Sequence, residues 1–215
     1  MANILQMEML ESYSEQPITR QLVLSLLQEY KRPYDKISEL LKKGELAVVK
    51  RGVYMPGPNS KIKQPEKFLL ANHLSGPSYI SLESALSYWG MIPEKVYETT
   101  SVSLDKTILF KTPAGRFRYI KIPLPYYALG IQPIALTTAQ HALIATPEKA
   151  LCDKIVTSHG LLLRSIQQTK GLLIENWRIG RASLNQLKIE KIESWIPDAP
   201  KATSLKVLIK TLQAL

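Results

Sequence analysis

Residues 44–54 constrain the fold more than any other part of the chain. The segment reads Gly-Glu-Leu-Ala-Val-Val-Lys-Arg-Gly-Val-Tyr, so that two glycines bracket a short β-branched run. This pattern predicts a β-hairpin, with Gly52 supplying the positive φ that the tip requires next to Lys50 and Arg51. An amphipathic stretch, 33–43, immediately precedes it. A helix followed by a basic hairpin is typical of a winged helix-turn-helix, whose helix enters the major groove while the wing contacts phosphates.

Two further helices are predicted ahead of this pair. Apolar residues have helical spacing within 4–10 and again within 18–27, and Thr19 or Ser14 can serve as an N-cap. The order of three helices and a hairpin therefore predicts an N-terminal winged helix-turn-helix domain in residues 1–58.

The third helix and the hairpin carry the residues that we expect to contact DNA. Ile37 and Leu40 have the spacing of an inward face, which leaves the polar side chains outward. The predicted DNA-binding residues are Arg32, Tyr34, Lys36, Ser38, Lys42, Lys43, Lys50 and Arg51. The basic members would neutralise phosphates, and the tyrosine and serine would reach base edges or the backbone. The alternatives are a solvated helix face or a protein contact, since Asp35 and Glu39 would repel phosphate or pair with neighbouring lysines.

A second domain, residues 64–215, is predicted after segment 56–60. That segment, Pro-Gly-Pro-Asn-Ser, punctuates the chain strongly and predicts a linker. The predicted elements beyond it are a helix at 65–73, strands at 79–80, 96–104, 107–111, 117–122, near 126–129 and at 141–145, a helix opened by Thr146 and Pro147, and helices at 163–177, 183–192 and 202–212. The fold class is therefore α+β, with a small mixed or antiparallel sheet and helices before and after it.

Charge and cysteine content limit the partners and the compartment. The net charge of +10 and the pI near 9.6 favour a nucleic acid or another anionic partner. The single cysteine, Cys152, excludes an internal disulfide and fits a reducing compartment. The sequence has no secretory signal and no apolar run long enough to span a membrane. We therefore expect a soluble cytoplasmic protein with no membrane partner.

No pattern typical of a catalytic, metal or cofactor site is recognised. Glu148 and Asp153 lie about 140° apart around a helix with about 100° per residue, so their carboxylates do not converge on one metal ion. We expect Glu148 to be structural and to pair with Lys149 or Lys154. Ser81 has no Gly-x-Ser-x-Gly environment and is expected to cap a helix. The three histidines are widely spaced and form no zinc pattern with the cysteine.

Two further groups of residues have alternative interpretations. The aromatic group Tyr79, Tyr88, Trp89 and Tyr97 is expected in the core, with a partner-binding surface as the alternative. Basic residues of the C-terminal helices form either a solvated face or a face for an acidic partner or a nucleic acid. They are Arg164, Lys170, Arg178, Arg181, Lys188, Lys191, Lys201, Lys206 and Lys210.

Three stretches of the second domain resemble one protein family. They are 76–90 (Gly-Pro-Ser-Tyr-Ile-Ser-Leu-Glu-Ser-Ala-Leu-Ser-Tyr-Trp-Gly), 112–119 (Thr-Pro-Ala-Gly-Arg-Phe-Arg-Tyr) and 145–153 (Ala-Thr-Pro-Glu-Lys-Ala-Leu-Cys-Asp). In this order, after a wing that ends in Gly-Val-Tyr, they resemble the AbiEi antitoxins, which are transcriptional regulators of type IV, AbiE-type abortive-infection toxin–antitoxin systems. The resemblance extends from about residue 16 to the C-terminus; the leading segment 1–14 departs from the shortest family members.

The resemblance implies a protein with two functions. The winged helix would bind operator DNA and repress its own operon, and the second domain would counteract a toxin that resembles nucleotidyltransferases. Members of this kind are not expected to be enzymes or to need a cofactor. Two alternatives come from other classes of protein. A ligand-sensing transcription factor would have a closed apolar pocket, and a nucleotide-modifying enzyme would have an acidic Mg²⁺ cluster.

Overall fold

The structure, a computed structural model, describes residue 13 and residues 16–215. The predicted first helix, 4–10, and the candidate cap Ser14 lie outside these residues. The described chain is a mixed α+β fold with a small sheet near its N-terminus and a larger mixed sheet in the remainder.

The small sheet is antiparallel and is accompanied by two helices. The elements are β1 (Ile18–Thr19), α1 (Arg20–Leu26), α2 (Pro33–Lys42), β2 (Leu46–Lys50) and β3 (Val53–Pro56), with strand order β1-β3-β2. Thr19 caps α1 as predicted, because its Oγ1 accepts a hydrogen bond from the backbone N–H of Leu22 at 3.2 Å. Gly52 has a φ of +81° at the hairpin tip, as the sequence requires.

The β2–β3 hairpin contributes side chains to two hydrophobic clusters. Successive residues of a strand point to opposite faces of the sheet. Leu46 and Tyr54 pack with apolar residues of α1 and α2 in a small cluster. Ala47, Val49 and Met55 belong instead to the large core formed by the rest of the chain. The hairpin is therefore shared between the two clusters.

Residues 56–60, which the sequence predicts as a linker, pack against the turn that follows α2. The backbone N–H of Gly57 donates to Glu45 O, and that of Asn59 donates to Gly44 O, each at 2.9 Å. A Cβ atom added to Gly57 would lie 2.2 Å from Gly44 O. Only glycine permits such a close approach of the two backbones.

The large sheet has six strands. They are β4 (Ser78–Ile80), β5 (Glu98–Ser103), β6 (Ile108–Thr112), β7 (Gly115–Lys121), β8 (Ile131–Ala135) and β9 (His141–Ala145), in the order β6-β7-β5-β4-β9-β8. The pairs β5–β7 and β4–β9 are parallel and the other pairs are antiparallel. The sheet is thus mixed, one of the two forms that the sequence allows.

Helices cover both faces of this sheet. They include α3 (Lys67–Leu74), α4 (Leu82–Tyr88) and α5 (Pro147–Thr157). On the α3 side, Tyr119 of β7 donates its hydroxyl to Ala71 O at 2.6 Å. On the α5 side, Tyr79 of β4 donates to Asp153 Oδ2 at 2.9 Å. Helix α5 begins as predicted, since Thr146 Oγ1 accepts from the N–H of Lys149 at 3.3 Å.

The C-terminal third is helical but more divided than the sequence predicts. It contains α6 (Ile166–Gly171), a π-helical turn (Leu172–Asn176), α7 (Arg181–Asn185), α8 (Ile189–Trp195), a 3₁₀ turn (Ile196–Asp198) and α9 (Ala202–Gln213).

The predicted strand near 126–129 is wrong, because Tyr126–Ala128 is a 3₁₀ helix. The strand is β8, which contains Pro133 and tolerates it because it lies at the sheet edge.

No helix in the described part of the chain is both long and apolar enough to cross a bilayer.

Candidate nucleic-acid interface

Helix α2 leaves one of its sides to solvent. Pro33 occupies the first helical position, where its missing N–H costs nothing. Ile37 and Leu40 are buried in the small cluster together with Leu46 of the hairpin. The amphipathic pattern therefore fixes which side of α2 packs inward and which side remains available to a partner.

Tyr34, Ser38 and Lys42 lie along that exposed side, which we call the α2 stripe. They are four residues apart, so at about 100° per residue they follow one another along the helix. The side chain of Tyr34 is 62% exposed. Ser38 Oγ donates to Tyr34 O at 3.0 Å, while Lys42 is exposed and has no ion pair with any described residue. The fold thus brings three of the predicted DNA-binding residues together.

Lys36 and Lys43 are held by a carboxylate of the same helix. Their Nζ atoms lie 3.0 and 2.6 Å from the carboxylate oxygens of Glu39. The hydrogen bonds from Lys43 and then Lys36 hold the pKa of Glu39 below its usual value. The prediction that Lys36 points outward is wrong, since its side chain is only 10% exposed and its Nζ lies 5.6 Å from the Tyr30 ring centroid.

The remaining predicted contacts differ in how available their charge is. Arg32 lies 3.7 Å from Asp35 in a highly exposed ion pair, which contributes little and is easily exchanged. At the hairpin tip, Arg51 is exposed. Lys50 instead donates its Nζ to Leu74 O at 2.6 Å, at the carbonyl end of α3. Arg51 is therefore the residue of the basic pair whose charge is directed to solvent.

A buried polar cluster joins β4 to α5. Asp153 Oδ2 accepts hydrogen bonds from Tyr79 at 2.9 Å and from Ser81 at 2.7 Å. Asp153 Oδ1 lies 3.1 Å from Lys149 Nζ, which also donates to Tyr126 O at 2.8 Å. Ser81 occupies the N-cap position of α4, but its hydroxyl makes no cap hydrogen bond. Ser81 is therefore the N-cap residue, as predicted, but its hydroxyl binds Asp153 and does not cap the helix.

This cluster, the buried hub of Tyr79, Ser81, Lys149 and Asp153, is closed to ligands. All four residues have no exposed surface. Burial raises the pKa of Asp153 and Tyr79 and lowers that of Lys149, because each charged form is penalised by desolvation. The Lys149 charge and the hydrogen bonds act in the opposite direction on Asp153. The arrangement stabilises the packing of helix on sheet and offers no surface for chemistry.

Glu148 and Lys154 of α5 have partners that lie far away along the chain. Glu148 Oε1 accepts the backbone N–H of Lys188 at 3.0 Å, and Lys154 pairs with Glu83. The predicted pairing of Glu148 with Lys149 or Lys154 is therefore wrong, because the chain before α8 returns to the start of α5. Among the described residues, no group of three or more His, Cys, Asp or Glu side chains could hold a metal ion.

The aromatic group expected in the core is divided between core and surface. Tyr79 is fully buried, whereas Tyr88 is 42% and Tyr97 is 82% exposed. The expectation is therefore wrong for Tyr88 and Tyr97. The charged neighbours Lys95 and Glu98 are the sequence signal that could have placed Tyr97 at the surface.

The basic residues of the C-terminal helices do not form one uniform set. Lys201 donates to Ile155 O at 3.1 Å and to Ser158 O at 2.5 Å, which ties the start of α9 to the end of α5. Arg178 pairs with Glu94 at 3.1 Å. Lys206, in contrast, is exposed on α9. The two predicted roles, a solvated face and a face for a partner, therefore have to be assigned residue by residue.

Comparison with known proteins finds a similar structure but no matching family model or curated sequence. No protein-family model matches the chain, and no curated protein sequence matches it. The structure is similar to the crystal structure of the RV2827C protein from Mycobacterium tuberculosis, with a TM-score of 0.66 and 15% sequence identity. The similarity covers 98% of this chain and 77% of the other chain. At this identity it indicates a shared fold.

Proposed function

We propose that the protein is an AbiEi-like antitoxin and autorepressor. Its N-terminal elements act as a winged helix-turn-helix that binds operator DNA, and the remainder counteracts a nucleotidyltransferase-like toxin. The order of elements supports the first half of the proposal. Two helices are followed by a hairpin, and a short strand ahead of them completes the sheet in the order β1-β3-β2. In this arrangement α2 corresponds to the recognition helix and the 50–53 turn to the wing.

The α2 stripe is the observation that carries the proposal. Its tyrosine is 62% exposed, and its lysine has no carboxylate partner among the described residues. A hydroxyl, an aromatic ring and a cation along one helix side match the groups that contact phosphates and base edges. Arg51, at the hairpin tip, would add a phosphate contact.

The ion pairs on α2 narrow the set of DNA contacts. Lys36 and Lys43 neutralise Glu39, so they would serve mainly to keep that carboxylate from repelling phosphate. We therefore propose Tyr34, Ser38, Lys42 and Arg51 as the principal contacts.

The antitoxin half of the proposal is supported by the sequence resemblance. Its stretches 76–90 and 145–153 meet in the buried hub, where Asp153 accepts hydrogen bonds from Tyr79 and Ser81. These motif residues would therefore maintain the scaffold, and exposed residues elsewhere would act on the toxin. Expression of the full chain together with the protein of the adjacent reading frame tests this half. Rescue of growth supports it, and toxicity that persists when both proteins are present refutes it.

DNA binding is tested by fluorescence anisotropy of the full chain on two labelled duplexes, its own promoter and an unrelated sequence, across a salt series. Lys42→Ala should weaken binding to both duplexes and reduce the salt slope by about 0.9. Tyr34→Ala should reduce the preference for the promoter.

Lys206→Ala is the matched control, because it removes one exposed charge from α9. It should leave affinity and slope unchanged. Equal effects of Lys42→Ala and Lys206→Ala would refute the assignment of α2, and absence of duplex binding would refute the DNA-binding function.

A further inference from the structure

Strands β6 and β7 present one open face at the edge of the large sheet. In the register of the sheet, Lys111 is opposite Arg116 and Leu109 is opposite Arg118. Glu98 of β5 is next to Arg116 in the same row. Residues paired across strands project from the same face, so these side chains form two adjacent rows. Three of the five are cationic, and Lys111 and Arg116 are exposed.

Glu98 fixes the orientation of both arginines. Its Oε2 accepts the Nε–H of Arg116 at 3.0 Å, and its Oε1 accepts the Nε–H of Arg118. The hydrogen bond from Arg118 holds the pKa of Glu98 below its usual value. Because Arg116 is held through Nε, its terminal Nη groups have no partner among the described residues. A guanidinium positioned in this way presents a fork that suits a phosphate.

A cleft of about 480 Å³ opens next to these rows. Apolar side chains line part of it, including Leu82, Val96 and Ile120. Glu83 and Glu98 also line it, each paired with a basic residue. The volume lies within the range of about 300–1,000 Å³ that small-molecule sites occupy. The cleft is therefore large enough for an unstacked base and its ribose.

Tyr97 lines this cleft and, at 82%, is the most exposed large hydrophobic side chain among the described residues. It immediately precedes the strand that carries Glu98. An exposed aromatic ring next to oriented guanidinium groups is the combination on which bases stack while phosphates are neutralised. We call Tyr97, Lys111, Arg116 and Arg118 the β6–β7 face.

We propose that the β6–β7 face binds single-stranded nucleic acid. One base stacks on Tyr97 and enters the cleft, and the flanking phosphates bind Arg116, Arg118 and Lys111. A base within an intact duplex does not expose its ring face, so the cleft favours a single strand.

The charges of the cleft favour a nucleic acid over an acidic peptide. Glu83 and Glu98 are paired with Lys154 and Arg118, which also line the cleft, so the cleft has no excess positive charge to attract an acidic side chain. The carboxylates can still accept N–H groups of a base edge. Arg118 lines the cleft, whereas Lys111 and Arg116 lie outside it, where phosphates of the same ligand would reach them. This proposal concerns a surface separate from α2 and does not depend on operator binding.

The test measures binding of the full chain to a labelled single strand of about 12 nucleotides, within the range of site sizes known for such surfaces. RNA and DNA of the same mixed sequence and the corresponding duplex are compared. Tyr97→Ala should weaken single-strand binding by about 5- to 150-fold and leave duplex binding unchanged. Tyr97→Phe should retain most of the affinity, because it keeps the ring.

Arg116→Ala should reduce the salt slope on the single strand by about 0.7, whereas Lys210→Ala on α9 should leave it unchanged. Circular dichroism checks that the variants are folded. We expect them to fold, because the changed side chains are exposed. Unchanged single-strand affinity in Tyr97→Ala would overturn the proposal. Equal losses on single strand and duplex, or binding of polyglutamate with no binding of single strands, would also overturn it. Lys42→Ala should affect the duplex alone, so the two functions fail separately.

Discussion

Replacing Lys149 by Met should destabilise the protein by about 3–5 kcal/mol, because it leaves a buried charge without its partner. Lys149 Nζ lies 3.1 Å from Asp153 Oδ1, donates to Tyr126 O at 2.8 Å and lies 3.2 Å from the centroid of the Tyr126 ring. Both members of the ion pair have no exposed surface. For a chain of this size, such a loss lowers the melting temperature by about 6–20 °C.

The penalty should depend on pH in a defined direction. Burial already raises the pKa of Asp153 above its value in the unfolded chain, and Lys149 opposes this rise. Without Lys149 the folded-state pKa of Asp153 rises further. A raised acidic pKa means that the folded state binds more protons, so stability decreases as pH rises through the shifted pKa. Lys149→Met should therefore be less destabilising at mildly acidic pH than at neutral pH.

Urea unfolding at several pH values measures both effects, and Asp153→Asn supplies the matched partner variant. The double variant should lose less free energy of unfolding than the sum of the two single variants, because the orphaned charge is removed. A loss below about 1 kcal/mol in Lys149→Met at neutral pH, no greater than that of an average substitution, would refute the argument. A penalty that increases toward acidic pH would refute the assigned cause.

Further variants test the hairpin and its surroundings. Gly57→Ala should destabilise the protein by more than the ~1 kcal/mol of an average substitution, because the new Cβ would lie 2.2 Å from Gly44 O. Thermal unfolding measures this loss, and a melting temperature equal to that of the wild type would contradict the prediction. Lys50→Ala should cost about 0.5–1.5 kcal/mol of stability through the lost hydrogen bond to Leu74 O while leaving duplex affinity unchanged. Arg51→Ala should leave the stability unchanged and lower the salt slope of duplex binding by about 0.9. If Lys50 contacts phosphate, Lys50→Ala will instead lower the salt slope and Arg51→Ala will not.

The elements that the sequence predicts well are those defined by neighbours in the chain. The hairpin follows from alternation and from Gly52, whose φ is +81°. The start of α5 follows from Thr146, which caps it, and from the proline after it. In each case the determining contacts span a few residues, so the local pattern contains them. The exposed side of α2 was predictable for the same reason, since helical spacing assigns Ile37 inward and Ser38 outward.

Partners that are distant in the chain could not be predicted in this way. Glu148 accepts the N–H of Lys188, 40 residues away, and Lys154 binds a carboxylate 71 residues away. Lys50 illustrates the same limit within the candidate site, because only the packing of the hairpin against α3 places its ammonium group on Leu74 O. Periodicity states which side of an element is polar, but it does not state which element lies opposite.

Two of the stretches that resemble the AbiEi antitoxins, 76–90 and 145–153, meet in the buried hub. Experiments can therefore separate loss of folding, caused by changes in the hub, from loss of a binding function, caused by changes at the surface. Tyr79 and Ser81 of the first stretch bind Asp153 of the third stretch without any exposure to solvent. A chain that shares these residues therefore shares the joint between sheet and helix, whatever its exposed side chains bind. Substitutions in the buried hub should reduce duplex binding, single-strand binding and toxin rescue together, in proportion to the unfolded fraction. Lys42→Ala should reduce duplex binding alone, and Tyr97→Ala should reduce single-strand binding alone, each at an unchanged melting temperature. An activity that is lost only in the hub variants would depend on the folded scaffold and on neither of these two exposed side chains.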